Sequence, residues 1–266
     1  MVKQLDDFIP LFVAGCFYII VFILGQVSRH LVRKYLDPGS SLQRFLIEAI
    51  TTAQMCTCVY ENAVIIRNYG PWGFFFVVST ILIAGANVNR GGYVSPLAPI
   101  ELFFKGAISS QGLVEIILGQ AVGGYLAFRI ARNLWYSTSV LTLEHSINYE
   151  NTKCAFVYKV PFTVAFAFEF VGCFLLRLLL ARIPPRFKTY FGPVITASFL
   201  AFSLAFIGVV GLNPTVAASR MYGCDGLNTL WFIVTYWVCP LLGWMTGAAF
   251  DSVALTNAIR SSEKRD

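Results

Sequence analysis

The sequence predicts an all-α membrane protein, and three observations predict it. Hydrophobic residues make up 57% of the 266-residue chain and charged residues only 13%, with a mean hydropathy of +0.67, against about half and about a quarter in soluble domains. The apolar residues gather into runs of roughly 20, enough to cross a hydrocarbon core of about 30 Å as helices, which satisfy their own backbone groups without water. The 20 Lys and Arg, set against 14 Asp and Glu, sit in short clusters at the ends of those runs. That placement is topological and argues against a nucleic-acid partner.

Seven spans follow in order, near 8–26, 43–66, 71–88, 113–132, 161–182, 191–210 and 229–250. Asp6 and Asp7 precede the first and Arg29, Arg33 and Lys34 follow it, with no small-residue cleavage site. It therefore reads as a retained signal anchor with its N-terminus outside. Alternation from there places Arg182, Arg186, Lys188 and the tail residues Arg260, Lys264 and Arg265 in the cytosol, as the positive-inside rule asks. The segment 133–158, with Trp135, Glu144, His145, Glu150 and Lys153, reads as a soluble loop outside or in a lumen. Two further segments, 96–106 and 214–222, are too short to cross. Each starts at a Pro, which suits the first position of a helix, so they are expected to be re-entrant half-helices buried within protein. The seven cysteines (Cys16, Cys56, Cys58, Cys154, Cys173, Cys224 and Cys239) fall mostly in apolar runs, where Cys acts as a small hydrophobe, and no disulfide framework is expected.

An internal repeat organises the later spans. Glu48, with Thr52, sits in one span and precedes Ser95-Pro96; Glu169 sits in another and precedes Asn213-Pro214 by a similar distance. Each half is expected to hold a span with one buried Glu, a second span, a Pro-initiated short helix and a third span. Three spans is an odd number, so the halves have opposite orientations. A carboxyl at membrane depth is costly unless it accepts hydrogen bonds from orphaned donors, so both Glu residues are expected to brace the re-entrant loops. The expected divisions are an N-terminal anchor and basic loop (1–42), a first repeat (43–132), a connecting loop (133–160), a second repeat (161–250) and a cytosolic tail (251–266).

The segment Gly211-Leu212-Asn213-Pro214-Thr215-Val216-Ala217-Ala218-Ser219 resembles the second Asn-Pro-Ala box of the aquaporin family. Cys224 beyond it resembles the downstream Cys of the superaquaporin branch, the aquaporin-11- and -12-like proteins. Tyr236-Trp237-Val238-Cys239-Pro240-Leu241-Leu242-Gly243 is similar to the family's last helix, and Glu48 with Thr52 to the start of its first. Gln120 and Glu169 also fall at family-like positions. The likeness covers roughly residues 43–250; the first span lies outside the six-helix pattern, although the superaquaporin branch also has an apolar segment there. The first box departs from the family. Ser95-Pro96-Leu97 fits from the downstream side, with about six residues inserted before it, and Asn89 is the alternative first Asn.

The resemblance implies an aquaporin-like inverted repeat of six spans and two half-helices, with a passive pore for water and small neutral solutes such as glycerol or hydrogen peroxide. It implies Ser95, Pro96, Leu97, Asn213, Pro214 and Thr215 as the pore motifs and Glu48, Glu169 and Gln120 as loop braces. Where the family carries a filter Arg this chain has Val216. Positions carried over by distance put Val210, Ala201 and Phe75, or its neighbours Phe74 and Phe76, beside it, an apolar filter. Cys224 is expected to be structural. Membrane lipid is the surrounding partner, and a homo-tetramer, an endoplasmic reticulum or other intracellular location, or the plasma membrane are implied by resemblance alone. No cofactor or metal is expected. His30 and His145 fall in expected loops, and no spacing points to a nucleophile–base pair, so an enzyme is not expected. Two alternatives stand beside the pore: a closed, structural channel-like protein, and a secondary transporter, which would be expected to bury more ionisable groups than Glu48 and Glu169.

Overall fold

The computed structural model describes residues 7–263 apart from Arg90 and Thr152, and side chains only as far as Ser252. Of the tail cations, the Arg260 side chain and the whole of Lys264 and Arg265 thus lie outside what is described, as does Asp6. Ten α-helices follow in order: α1 Ile9–Tyr35, α2 Ser41–Val88, α3 Leu97–Phe104, α4 Ser110–Thr138, α5 Leu143–Glu150, α6 Phe162–Arg182, α7 Lys188–Phe202, α8 Pro214–Met221, α9 Thr229–Ile233 and α10 Cys239–Glu263. Among the described residues there is no sheet, only an isolated bridge between Ala155 and Asp225. Six stretches are long and apolar enough to span a bilayer, namely α1, α2, α4, α6, Pro185–Ile207 and Thr229–Ser252. The chain is a multi-pass integral membrane protein.

One of those six is two spans. At about 1.5 Å per residue, 48 helical residues would run roughly 70 Å, more than twice the hydrocarbon core. The ladder is broken at Gly70 (φ 62, ψ −159), a left-handed position that glycine adopts without a Cβ clash, and Pro71 starts the next limb. The reversal is complete, because Gln54 Nε2 donates to Asn89 Oδ1 at 3.1 Å from the far end of the other limb. The two spans expected at 43–66 and 71–88 are these limbs.

Local sequence sets the other boundaries. Ser40, Ser109, Thr142 and Asn228 each accept a hydrogen bond from a first-turn amide of the helix that follows. Pro240 has no N–H for the carbonyl one turn back, and the helix widens into a π turn over Val234–Val238 just before it.

Packing repeats with the sequence. A Cβ on Gly119 or Gly123 of α4 would come within 2.7 Å of the Phe45 oxygen or 2.3 Å of the Ala49 oxygen of α2. On Gly243 or Gly247 of α10 it would come within 2.1 Å of the Phe170 oxygen or 2.9 Å of the Phe174 oxygen of α6. Each half therefore has a Gly-x-x-x-Gly face laid directly on the backbone of its Glu-bearing helix. The neighbouring Gly124 packs less tightly, with Ser219 Cβ 3.5 Å from where its own Cβ would stand.

Three expectations need correction here. The first span does not end near residue 26: α1 continues to Tyr35 and carries His30 and a fully buried Arg29, whose guanidinium donates to Gln54 Oε1 at 2.7 Å. Arg29 is thus a tie between α1 and α2 as well as a flanking charge. The segment 133–158 is not simply a soluble loop. Helix α4 runs on to Thr138, and α5 folds back so that His145 and Trp135 are buried. Both reach the fully buried Glu61, Trp135 Nε1 at 2.6 Å and His145 Nε2 at 3.1 Å from its carboxylate oxygens. Finally, a disulfide does form, joining Cys154 to Cys224.

Candidate functional site

The two short helices start at α3 Leu97 and α8 Pro214, each at the end of a strained loop. Val94 (φ 63) and Leu212 (φ 65) are the non-glycine residues with positive φ among those described. They stand one residue before Ser95 and Asn213, so the backbone itself aligns Ser95-Pro96-Leu97 with Asn213-Pro214-Thr215. A bulky residue in the left-handed region, β-branched Val94 above all, is strained and needs external hold. The hold comes from the paired carboxylates. Glu48 accepts from the backbone of Tyr93 at 2.8 and 3.1 Å and of Val94 at 2.7 Å, and Glu169 accepts from Leu212 N at 2.8 Å. Both carboxylates are almost wholly buried.

Gln120 joins the two halves. Its Nε2 donates to Glu48 Oε1 at 2.9 Å, and its Oε1 accepts from Thr215 Oγ1 at 3.0 Å. The N-terminal ends of the half-helices lie against each other, with Asn213 Nδ2 donating to the Val94 carbonyl at 3.4 Å. Asn213 Oδ1 meanwhile accepts from Thr215 N and Val216 N, capping α8. Ser95 Oγ lies 3.5 Å from Leu97 N, a weak version of the same cap. Asn89 does not head a half-helix: it ends α2, with its amide on the Gly85 carbonyl, before the loop that leads to α3, although it too lines the cavity beside the junction.

A cavity of about 900 Å³ runs beside this junction. Ser95, Leu97, Asn213, Val210 and Val216 line it. Of the aromatic candidates it is Phe74, not Phe75, that reaches the cavity; Phe75 and Ala201 pack behind the wall against Phe74, Val78 and Ala197, and Phe76 is exposed. Adjacent helical residues point about 100° apart, so distance along the chain does not choose between them. Most of the lining side chains are apolar.

Sequence reasoning missed the anchors outside the boxes. Glu101 of α3 takes both Arg177 Nε and Nη2 at 2.7 Å, Trp244 Nε1 at 2.7 Å and Lys105 Nζ at 2.5 Å, tying the first half-helix to α6 and α10. Past the second half-helix, Cys224 is bonded to Cys154. That bridge clamps the 153–159 strap, in which Phe156 N donates to the Asp225 carbonyl at 2.9 Å and Lys159 N to the Ile207 carbonyl at 2.8 Å. Buried ionisable groups therefore extend beyond Glu48 and Glu169 to Arg29, Glu61, Glu101 and His145, and the count offered against a transporter does not hold. Among the described residues no three His, Cys, Asp or Glu are grouped to hold a metal ion.

Two half-helices entering from opposite repeats and touching at their N-termini, inside a bundle of spans around a cavity, define a channel-type membrane protein. No family model matches the chain. It is 37% identical over 246 residues to a putative aquaporin-10 of Caenorhabditis elegans, covering 91% of this chain and 87% of that protein. It is 26% identical over 248 residues to an aquaporin-11 of Milnesium tardigradum (91% and 88%) and 25% identical over 230 residues to a putative aquaporin-12B of Homo sapiens (85% and 75%). The chain belongs to the aquaporin family, and the names of these relatives agree with the superaquaporin resemblance.

Proposed function

We propose that the cavity beside Ser95 and Asn213 is a passive pore for water and small neutral solutes of the size of glycerol or hydrogen peroxide. The observation that carries this reading is the contact between the two half-helix N-termini. Their positive dipole ends converge on the cavity wall, which disfavours cations, while Asn213 Nδ2 and the Ser95 hydroxyl offer a passing oxygen in exchange for water's own hydrogen bonds. Val210, Val216 and Phe74 form an apolar wall that passes solutes by size. Glu48, Glu169 and Gln120 act as braces and do not touch the solute. The end of the pore with the Cys154–Cys224 bridge faces an oxidising lumen or the cell exterior, where disulfides persist. That agrees with the orientation expected from the cationic clusters. The functional unit is a homo-tetramer by family resemblance, with membrane lipid around it.

The test is vesicle shrinkage by stopped flow with purified full-length protein, against water, glycerol and hydrogen peroxide gradients. Wild type is expected to exceed empty vesicles. Asn213→Asp, which introduces a carboxylate opposite the Val94 carbonyl, is expected to lower water flux about tenfold, as a barrier rise of about 1.4 kcal/mol would. Val216→Arg is expected to narrow the pore and exclude glycerol first. Fluxes equal to empty vesicles for every solute would sink the open-pore reading in favour of a closed or structural role.

A further inference from the structure

We propose that Arg220 is the cation barrier of this pore, one helical turn away from the position where the family likeness places Val216. The inference rests on the proposed pore and deepens it by assigning the residue that rejects charge. Val216 and Arg220 are four residues apart on α8, which puts their side chains on one face, and both line the cavity. Arg220 is held in place from below: Nη1 donates to the Val59 carbonyl at 3.0 Å, and the preceding Ser219 is clamped by Oγ on the Gly124 carbonyl at 2.7 Å.

The charge has nothing to cancel it. The ion pairs among the described residues are formed by Arg44, Arg67, Lys105, His145, Arg177 and Arg182 with their carboxylates; Arg220 is in none. The described residues that line the cavity include Lys153, Lys188 and Arg220 and no Asp or Glu. Lys153 and Lys188 are exposed and are screened by salt within a Debye length of about 8 Å. Arg220 is partly buried, at the wall, where a fixed charge is felt more strongly. The Cys154–Cys224 bridge sits just past the end of α8 and brings Lys153 to the same mouth. A solute crossing here meets an apolar constriction for size and then a guanidinium for sign. A neutral molecule passes both, and a monovalent cation or hydronium is repelled even though Val216 carries no charge.

The experiment measures water flux and cation leak, the latter by sodium- and pH-sensitive dyes, in the same vesicles of full-length protein. Wild type, Arg220→Gln and Arg220→Lys are compared after matching their elution as folded protein in detergent. The ratio of cation leak to water flux is expected to rise about tenfold in R220Q, the effect of about 1.4 kcal/mol on a barrier, and to return towards wild type in R220K. A merely structural role for the Val59 hydrogen bond would change flux without that rescue pattern in the ratio. Should R220Q not elute as folded protein, Arg220→Met, which keeps the apolar stem, is read in its place. Water flux in R220Q with the wild-type ratio overturns the barrier. Cation leak in R220Q with no water flux in wild type would reject the neutral-solute reading and leave the barrier standing. Neither flux nor leak in any variant rejects both.

Discussion

The loop into Ser95 and the loop into Asn213 have the same strained backbone but are secured differently. The first is held from inside: Glu48 receives three hydrogen bonds from Tyr93 and Val94 and one from Gln120, and Glu101 adds an ion pair further along the half-helix. The second has a single backbone bond to Glu169, and its security comes from beyond the helix, through the Cys154–Cys224 bridge and the strap it clamps. The difference teaches that repeat symmetry is kept where it shapes the backbone, at Val94 and Leu212, and relaxed in the means of support. It also separates the polar tips. Asn213 has an acceptor for its cap and two donors besides, whereas Ser95 must share one hydroxyl between both tasks.

Glu48→Leu should have the largest effect. It strands the partly buried backbone amides of Tyr93 and Val94 and the buried Gln120 Nε2, each costing about 1–3 kcal/mol at full burial, for a loss of about 3–5 kcal/mol in stability. Thermal aggregation of detergent-solubilised protein followed by size exclusion would register it. Next comes the paired Cys154→Ser and Cys224→Ser variant. Opening a loop of that length costs about 2–4 kcal/mol, and the same loss should appear in wild type on adding reductant but not in the variant. Glu169→Leu should cost less than either, about 1–3 kcal/mol, since one amide is stranded. If Glu169→Leu proves as damaging as Glu48→Leu in the same thermal assay, hydrogen-bond count is not what distinguishes the two halves. The smallest effect is expected from Ser95→Asn, which restores a second amide tip. A gain in water flux of a fewfold, about 1 kcal/mol of barrier, is expected by stopped flow, and a loss would show that Ser95 is already optimal for the width at that point.

Much of this was legible in the sequence because it is local. Apolar run lengths mark the spans, a Pro at or just before the first helical position marks each half-helix, and a Glu in an apolar run marks a carboxylate in need of donors. What was illegible depends on residues far apart in the chain. Trp135 and His145, from a segment that reads as a soluble loop, converge on Glu61 of an apolar span, and Cys154 meets a cysteine 70 residues away. Arg29 looks like a flanking charge until the helix continues past it. The choice of Phe74 over Phe75 turns on which way a helix faces, which one residue of register decides.

The reversal at Gly70 bears on how the chain is made. With one residue between its limbs, α2 leaves no separate loop for translocation to carry across. The two limbs are a hairpin closed by that single residue, and Glu48 on its first limb leads, in chain order, the Tyr93 and Val94 amides whose hydrogen bonds it accepts. The brace precedes the loop it braces along the chain, so the half-helix folds back onto a carboxylate that belongs to an earlier span.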